Sequence, residues 1–316
     1  MKYFLYIACL LSAFNVFSQE RVTSGVELAD PTILQHKGAY YLYGTGKSNG
    51  FLVFTSSDLK SWRGPAGIKD GYALFKNDAF GSRGFWAPHV FFHSNRFYMA
   101  YTADENIAIA ESKSPLGPFK QQLIKPISGK VKQIDPFVFI DGGKKYLYHV
   151  RVQEGNRIFV AEMKDDFSDI KPETLKECIR ATEPWENTAN SSWAVTEGPT
   201  VIKHKRNYYL FYSANDFRNV DYAVGYAVAP SPYGPWKKSG GNPIISKYHT
   251  GKNGSGHGDL IKNSRGDWYY VLHVHGSKAG FSRVSGLVKI KFVDNGSEPD
   301  KVIMEPGSFF YLEKAN

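Results

Sequence analysis

The sequence predicts an all-β protein, a five-bladed β-propeller, and three observations support this prediction. Strand-like segments dominate the chain, and helical periodicity is nearly absent. A pattern made of an anchor residue, an apolar run, a polar turn and a tyrosine-rich run occurs five times. The anchors stand at positions 30, 87, 135, 197 and 257, which are 48 to 62 residues apart, and such a period suits one four-stranded blade per repeat.

The predicted strands are short segments rich in β-branched and aromatic residues, bounded by turn residues. In chain order they include Tyr40–Tyr43, Phe51–Thr55, Val90–Phe92, Arg96–Thr102, Ile107–Ala110, Phe137–Ile140, Lys145–Val150 and Ile158–Glu162. Turns such as Lys37-Gly38 and Asp141-Gly142-Gly143 lie inside the repeats, so each repeat should contain a hairpin. Residues 162–179 are a short, interrupted helix candidate. A β-solenoid would have a much shorter period, and a two-sheet sandwich would not explain five anchors.

The N-terminus predicts a secretory signal peptide over residues 1–18. Lys2 precedes an apolar stretch from Tyr3 to Phe17, and Ser18-Gln19-Glu20 follows it. This stretch is too short to span a bilayer comfortably, and Cys9 lies too deep in it to favour a lipid anchor. We therefore expect export to the periplasm or the extracellular space, with residues 19–316 forming a single propeller catalytic domain.

The composition excludes some classes of partner. The net charge is +9, but Lys and Arg are spread along the chain without a basic run, so no nucleic acid partner is expected. No other apolar segment reaches membrane-spanning length, so no membrane insertion is expected, and a monomer is expected. Aromatic residues make up 15% of the chain, and Tyr and Trp rings suit both sheet cores and the faces of sugars.

Three of the five anchors are carboxylic acids. In a propeller the first strand of each blade runs beside the central channel, so Asp30, Asp135 and Glu197 are expected at equivalent ends of three such strands and in one pocket. A single acid in this position is more often a turn or cap residue. A purely structural role would repeat in every blade, whereas Ala87 and His257 occupy the other two anchors.

Such a set of acids favours glycosidic bond hydrolysis. This reaction needs one carboxylic acid to protonate the leaving oxygen and one carboxylate to activate water or attack the sugar. A third acid nearby raises the pKa of the proton donor, since like charges resist joint ionisation. Phe85, Trp86 and Trp193 lie close to the anchors in sequence and are candidates for sugar-stacking walls, with blade packing as the alternative for each.

The ordered motifs resemble those of glycoside hydrolase family 43. The resemblance covers about residues 27 to 293 and rests on five short motifs: Ala-Asp-Pro at 29–31, Trp-Ala-Pro-His at 86–89, Asp-Pro-Phe at 135–137, Glu-Gly-Pro at 197–199 and Gly-His-Gly at 256–258. It implies a five-bladed propeller that hydrolyses with inversion.

The resemblance also implies roles for individual residues. Asp30 would be the general base, Glu197 the general acid, and Asp135 the residue that tunes pKa and orients substrate. His257 would be the central-channel histidine and Arg283 would touch the sugar in the cleavage pocket. No cofactor is required for the chemistry. A structural calcium ion near His257 stays open, held directly or through water, because calcium prefers oxygen ligands.

The substrate prediction is an oligo- or polysaccharide of the plant cell wall. The polar stretch from Ala181 to Thr196, with Trp185 and Trp193, should lie over the pocket mouth and favour exo attack. We also expect no appended β-sandwich after the fifth repeat. We therefore expect an exo-acting α-L-arabinofuranosidase. β-D-Xylosidase, endo-arabinanase and galactan-directed activities stay open, as does a non-catalytic sugar-binding propeller.

Overall fold

The protein folds as five antiparallel blades arranged in a ring, which confirms the predicted five-bladed β-propeller. The structure is a computed structural model and describes residues 25–276, 281–294, 296 and 299–315. The predicted signal peptide and Cys9 lie outside the described residues. Within that part of the chain, no helix is long and apolar enough to cross a membrane.

The first two blades hold three main strands each. Blade 1 and its flanking hairpin contain β1 (Ala29–His36), β2 (Ala39–Thr45), β3 (Gly50–Leu52), β4 (Phe54–Ser56), β5 (Ser61–Trp62) and β6 (Tyr72–Phe75). In that set β1, β2 and β4 pair as one sheet, and β3 pairs with β6. Blade 2 contains β7 (Trp86–His93), β8 (Arg96–Ala103) and β9 (Asn106–Ser112).

The other three blades each have four strands in sequential order. Blade 3 contains β10 (Gln133–Asp141), β11 (Lys144–Val152), β12 (Asn156–Glu162) and β13 (Lys176–Ile179). Blade 4 contains β14 (Thr196–His204), β15 (Asn207–Ala214), β16 (Ala223–Ala229) and β17 (Lys237–Lys238). Blade 5 contains β18 (Gly256–Lys262), β19 (Trp268–His275), β20 (Arg283–Val293) and β21 (Lys301–Met304), and it is followed by β22 (Phe310–Tyr311) and β23 (Glu313–Lys314).

Within the described ranges, helical structure is limited to three short segments. They are two single 3₁₀ turns at Pro172–Thr174 and Pro184–Glu186 and an α-helix at Lys247–Thr250. The 162–179 candidate is therefore not an α-helix; its C-terminal part forms the outer strand β13. Pairing with β12 satisfies backbone groups there that a short, interrupted helix would leave open.

Every innermost strand has a bulge next to the channel. The pairing register of β1, β7, β10, β14 and β18 shifts near the start of the strand. One residue in each bulge has a left-handed backbone, and we call these five the axis residues: Asp30 (φ 48°), Ala87 (φ 45°), Asp135 (φ 54°), Gly198 (φ 59°) and His257 (φ 41°). Four of them are not glycine, so these positions are strained.

The prediction that Glu197 occupies the same repeat position as Asp30 and Asp135 is wrong by one residue. In blade 4 the axis residue is Gly198, and Glu197 lies one position earlier, where the other blades carry Ala29, Trp86, Ile134 and Gly256. The bulge turns consecutive side chains in different directions. A glutamate one residue earlier therefore approaches the same site from another angle.

A ring of hydrogen bonds joins each blade to the next at the axis residues. Their backbone N–H groups donate to a side chain of the preceding blade, and blade 1 donates back to blade 5. The pairs are Ala87 to Thr45 Oγ1 (2.8 Å), Asp135 to Thr102 Oγ1 (3.0 Å), Gly198 to Asp135 Oδ2 (3.2 Å), His257 to Ser213 Oγ (2.8 Å) and Asp30 to His273 Nδ1 (3.1 Å). These bonds satisfy the N–H groups that the bulges remove from the strand ladder.

The C-terminal segment closes the ring on the outer side. Strand β22 pairs with β20 of blade 5, while β23 runs parallel to β5 of blade 1. Gly25 also pairs with Glu313, so both ends of the described chain meet at this seam. The closure places Asp30 of blade 1 beside Arg283 of blade 5.

The core consists of apolar layers between neighbouring blades. Trp62 and Phe119 are fully buried and fill the inter-blade clusters that contain blade 1. The hydroxyl of Tyr148 in blade 3 donates to the carbonyl of Pro232 in blade 4 at 2.6 Å. Apolar burial and buried tyrosine hydrogen bonds together fix the blade spacing that positions the axis residues.

Replacing Thr102 by Val should destabilise the propeller. Valine keeps the shape of this fully buried side chain but removes the acceptor for the Asp135 N–H, and an unpaired buried donor costs about 1–3 kcal/mol. Urea unfolding should show this loss in the free energy of unfolding.

Thr55→Val serves as the control, since Thr55 lies on β4 away from the axis. An unfolding free energy for Thr102→Val equal to that of Thr55→Val would refute the structural importance of the ring.

Candidate active site

Three carboxyl groups meet at the mouth of the central channel. The channel is lined by the axis residues and the two residues that follow each of them. Asp30, Asp135 and Glu197 are 7%, 6% and 8% exposed. Three acids buried within electrostatic reach of one another cannot all be ionised at neutral pH without a strong compensating charge.

Asp30 is the member of the trio that is compensated. Its Oδ1 lies 2.9 Å from Arg283 Nη1, and its Oδ2 accepts a 2.7 Å hydrogen bond from Thr45. Burial alone would raise the pKa of Asp30, but Arg283, His257 and His273 lower it well below the usual range. Asp30 is therefore an ionised carboxylate at the rim of the channel.

Glu197 is held in the opposite state. Burial and the negative charge of Asp30 raise its pKa to about 7, against two hydrogen bonds that lower it. Tyr222 donates to Oε1 at 2.8 Å and Asn156 Nδ2 donates to Oε2 at 3.1 Å. A carboxyl group with this pKa carries a proton at mildly acidic pH and can release it near neutrality.

Asp135 lies between the other two acids. Burial raises its pKa well above the usual value, and the charges of Glu197 and Asp30 raise it further. Its Oδ2 accepts the Gly198 N–H bond of the axial ring, so the carboxyl group is tied to the backbone next to Glu197. Asp135 and Glu197 repel each other when both are ionised. Their titrations are therefore linked, and the pair resists the loss of both protons.

His257 lies on the axis beside the acids. Its Nδ1 is 3.4 Å from Asp30 Oδ1 and 3.9 Å from Asp135 Oδ2. Burial lowers the pKa of His257, so the ring is neutral. The imidazole packs so closely on Gly198 that a Cβ there would lie 2.8 Å from His257 Cδ2, which explains why blade 4 has glycine at this point.

Asp135, Glu197 and His257 offer the best metal-ligating group among the described residues, with one donor atom of each within 4.8 Å of the others. This set does not fit calcium, which favours six or more oxygen ligands, because one donor is nitrogen and both carboxyl groups have raised pKa values. A calcium ion held by His257 through water stays a prediction.

Aromatic side chains form parts of the wall around the acids. Trp86 is 39% exposed and lines a cleft that also contains Arg283. Arg283 in turn lies over the ring of Phe217 at 4.6 Å from its centroid. Trp193 is 46% exposed beside Glu197, to which it is connected through Asn156.

Phe85 does not offer a stacking face, which corrects the expectation from its place beside Trp86 in the sequence. It is 2% exposed, with its ring stacked on Tyr101 at 6.2 Å and edge-on to Phe51 at 5.9 Å. Phe85 and Trp86 are neighbours in the sequence, and neighbouring side chains of an extended backbone point in opposite directions. Trp86 therefore faces the cleft, and Phe85 packs in the core behind it.

The stretch before Glu197 forms a fixed wall. Its 3₁₀ turn contains Glu186, which is fully buried and bonded to Lys238 Nζ (2.6 Å) and to the hydroxyl of Tyr212 (2.6 Å). The same carboxylate accepts the N–H groups of Thr182 and Glu183. The segment is thus anchored by a buried ion pair and positions Trp193 at the mouth.

Sequence reasoning missed four residues that contact the acids directly: Thr45, Asn156, Tyr222 and His273. Thr45, Thr102 and Ser213 lie at the last or next-to-last position of the second strand of their blades, so a hydroxyl residue recurring there was an available signal. Asn156 and Tyr222 start or precede third strands, where nothing in the local pattern distinguishes them.

Comparison with known proteins gives a consistent result. The model of the family "Glycosyl hydrolases family 43" matches residues 20–297. A solved endo-1,4-beta-xylanase from Bacteroides thetaiotaomicron is 39% identical and superposes with a TM-score of 0.85, over 93% of this chain and 99% of that one. A solved thermostable family-43 glycoside hydrolase is 36% identical with a TM-score of 0.80, over 90% of this chain and 96% of that one.

Among curated proteins, a xylosidase/arabinosidase from Thermoclostridium stercorarium is 23% identical over 312 residues. The match covers 89% of this chain and 65% of that relative, so the chain spans less than two thirds of the relative's length.

The raised pKa of Glu197 should make folding less favourable as the pH rises. Between pH 4.5 and 7 the unfolded chain has released this proton while the folded chain retains it, so stability is lost through this range. Relative to Glu197→Gln, the unfolding free energy of the wild type should fall by about 3 kcal/mol from pH 4.5 to 8. Urea unfolding at both pH values measures this difference.

Glu162→Gln is the matched control. Lys171 and Lys144 lower the pKa of the half-buried Glu162, so this substitution should not remove the loss of stability. Parallel pH dependence of wild type and Glu197→Gln would contradict the pKa argument.

Proposed function

The chain belongs to glycosyl hydrolases family 43, and we propose that it is an inverting, exo-acting glycoside hydrolase that removes terminal α-L-arabinofuranosyl groups from plant cell-wall polysaccharides. One observation carries the proposal. Two buried carboxyl groups of the same pocket have opposite pKa shifts, downward for Asp30 and upward to about 7 for Glu197. Such a pair supplies a base and an acid at the same pH.

The roles of the acids follow from their charge states. Ionised Asp30 accepts a proton from a water molecule as that water attacks the anomeric carbon. Glu197 gives its proton to the glycosidic oxygen as the bond to the leaving group breaks. The new bond forms on the face opposite the departing group, so the configuration inverts. We propose that Asp135, whose carboxyl group is tied to the Gly198 N–H next to Glu197, modulates the pKa of Glu197 and orients the sugar.

Arg283 has two effects in this arrangement. Its contact with Asp30 keeps the base ionised, and its guanidinium lines the cleft where a sugar hydroxyl can accept a hydrogen bond. Trp86 presents an exposed indole face to the same cleft, suited to the apolar face of a sugar ring. Together they form the proposed binding site for the sugar that is cleaved off.

Exo action is supported by the anchored segment before Glu197. The buried Glu186 ties that segment to Lys238, and the wall stands at the acid side of the pocket. A fixed segment there closes one end of the groove, which favours exo attack over cleavage within a polymer.

β-D-Xylosidase activity is the second candidate, because the Thermoclostridium relative is named a xylosidase/arabinosidase and the Bacteroides structure an endo-1,4-beta-xylanase. Both names refer to pentose substrates. Endo-arabinanase and galactan-directed activities are weaker candidates within the same chemistry.

The remaining proposals concern context. We propose an exported monomer that acts on oligo- or polysaccharide, with neither nucleic acid nor membrane as a partner. The two proton transfers use Asp30, Glu197 and water, so the chemistry requires no cofactor.

Glu197→Gln and Asp30→Asn should each lower kcat on nitrophenyl α-L-arabinofuranoside by about 100-fold or more, since each removes one proton transfer. Asp141→Asn is the matched control, because Asp141 ends strand β10 while Asp135 lies near the start of that strand. Unchanged hydrolysis in both active-site variants would exclude these roles, and a wild type that binds arabinan oligosaccharides without hydrolysing any glycoside would favour a non-catalytic sugar-binding propeller.

Proton NMR of the first product should show inversion, with β-L-arabinofuranose released before mutarotation from the α-linked substrate. The same experiment on nitrophenyl β-D-xyloside should run more slowly. A product that keeps the configuration of the substrate rules out the mechanism, and faster xyloside hydrolysis reverses the order of the two candidate substrates.

A further inference from the structure

Asn156 connects the surface of the protein to the proposed acid. It begins β12 in blade 3, and its amide bridges two side chains of different kinds. Asn156 Oδ1 accepts a hydrogen bond from Trp193 Nε1 at 3.1 Å, and Asn156 Nδ2 donates to Glu197 Oε2 at 3.1 Å. Two hydrogen bonds thus connect the indole of Trp193 at the pocket mouth, through the Asn156 amide, to the carboxyl group of Glu197.

The backbone beside Asn156 is fixed independently of this relay. The Asn156 N–H donates to the Ala194 carbonyl at 2.9 Å, and the Asn156 carbonyl accepts a bond from Thr196 Oγ1 at 3.1 Å. Gly155 lets the two segments approach, because a Cβ there would lie 2.6 Å from the Ala194 oxygen. The position of the amide is therefore set by the backbone, and only its rotation depends on side-chain partners.

Trp193 decides that rotation. An asparagine amide presents an acceptor on one side and a donor on the other, and the two orientations have nearly the same shape. An indole N–H can only donate, so the atom of Asn156 facing Trp193 must be the oxygen. The amino group is then directed at Glu197.

The orientation matters for where the acid's proton can go. If Asn156 turned its oxygen toward Glu197, the protonated acid would donate its proton to that oxygen and hold it away from substrate. With the amino group facing Oε2, Asn156 offers no acceptor. The proton is left free for the glycosidic oxygen.

We propose that Asn156 is a positioning residue for the general acid Glu197 and that Trp193 sets its orientation, which places Trp193 on the leaving-group side of the cleavage point. The inference rests on the proposed function, since it needs Glu197 to protonate the leaving oxygen. The departing sugar must lie beside the acid that protonates it, and the exposed indole of Trp193 is 46% accessible there.

Aryl α-L-arabinofuranosides with leaving groups ranging from dinitrophenyl to unsubstituted phenyl test the proposal. A good leaving group needs little protonation, so loss of acid positioning should slow the phenyl substrate far more than the dinitrophenyl substrate. We expect Asn156→Ala to lower kcat about tenfold or more on the phenyl substrate and by less than about threefold on the dinitrophenyl substrate. Asn156→Asp keeps the side-chain shape but replaces the amino group with a carboxylate oxygen. It should likewise slow the phenyl substrate more than the dinitrophenyl substrate.

Trp193→Phe removes the indole N–H and keeps an aromatic face. It should show the same leaving-group dependence as Asn156→Ala, but more weakly. The Asn156 amide stays in place in this variant and loses only the hydrogen bond that fixes its rotation. The pH profile supplies a second readout. Loss of a hydrogen bond to the ionised acid raises the pKa of Glu197, so the alkaline limb of kcat/KM should move up by about one pH unit in Asn156→Ala.

Glu197→Gln in the same substrate series separates the inference from the proposed function. If Glu197→Gln slows all leaving groups equally, the acid assignment itself fails. If Glu197→Gln discriminates among them and Asn156→Ala and Asn156→Asp do not, only the positioning role fails. Wild-type behaviour of Trp193→Phe in both readouts would overturn the part assigned to Trp193.

Two control variants change residues of blade 5 at the end of the blade that lies opposite its axis residue, His257. Asn263→Ala and Trp268→Phe make the same types of change in and next to the β18–β19 turn. They should match the wild type in leaving-group dependence and in the alkaline limb. A shift of the same size in either control would overturn the specific role of Asn156.

Discussion

The hydrogen-bonded ring at the axis residues is the constraint on which the rest of this structure depends. Five bulged strands each turn one N–H away from their own sheet, and each of these groups is satisfied by the preceding blade. Closing that circle requires left-handed backbone at Asp30, Asp135 and His257, which is unfavourable for residues with a side chain. The strain directs those side chains toward the channel mouth, so the interaction that closes the fold also assembles the polar site.

The electrostatics of the site follow from the position of Arg283 in an acidic, buried pocket. Arg283 stands next to Asp30, and this proximity lowers the pKa of one acid while the others keep raised values. The result is costly to stability above the pKa of Glu197, because a buried acid must lose its proton without a partner cation. A pocket that keeps one carboxyl group ionised and another protonated in this way is less stable at high pH, but it retains a proton for the reaction.

Much of the fold could be predicted from the sequence, because each blade repeats a local pattern of β-branched and aromatic residues, turns and an anchor. The strand positions in blades 1 to 3 and the ring of five blades are confirmed, except that the predicted strand Phe51–Thr55 divides at Val53 into β3 and β4, which pair in different sheets. The residues Asp30, Asp135 and Arg283 were also identified, but Glu197 was placed one repeat position too late. The bulge at Glu197 and Gly198 arises from the way β14 pairs with β15. The sequence of β14 alone therefore does not reveal it.

The sequence by itself determined the fold class, the family resemblance and the presence of three acids near the axis, since these depend on periodicity and short local motifs. Only the tertiary structure decided which acid is ionised, that Phe85 packs in the core while Trp86 faces the cleft, and that Asn156, Tyr222 and Trp193 surround Glu197. The physical reason is that a pKa and an amide orientation are set by neighbours from other blades. Those neighbours are brought within hydrogen-bonding distance only when the ring closes.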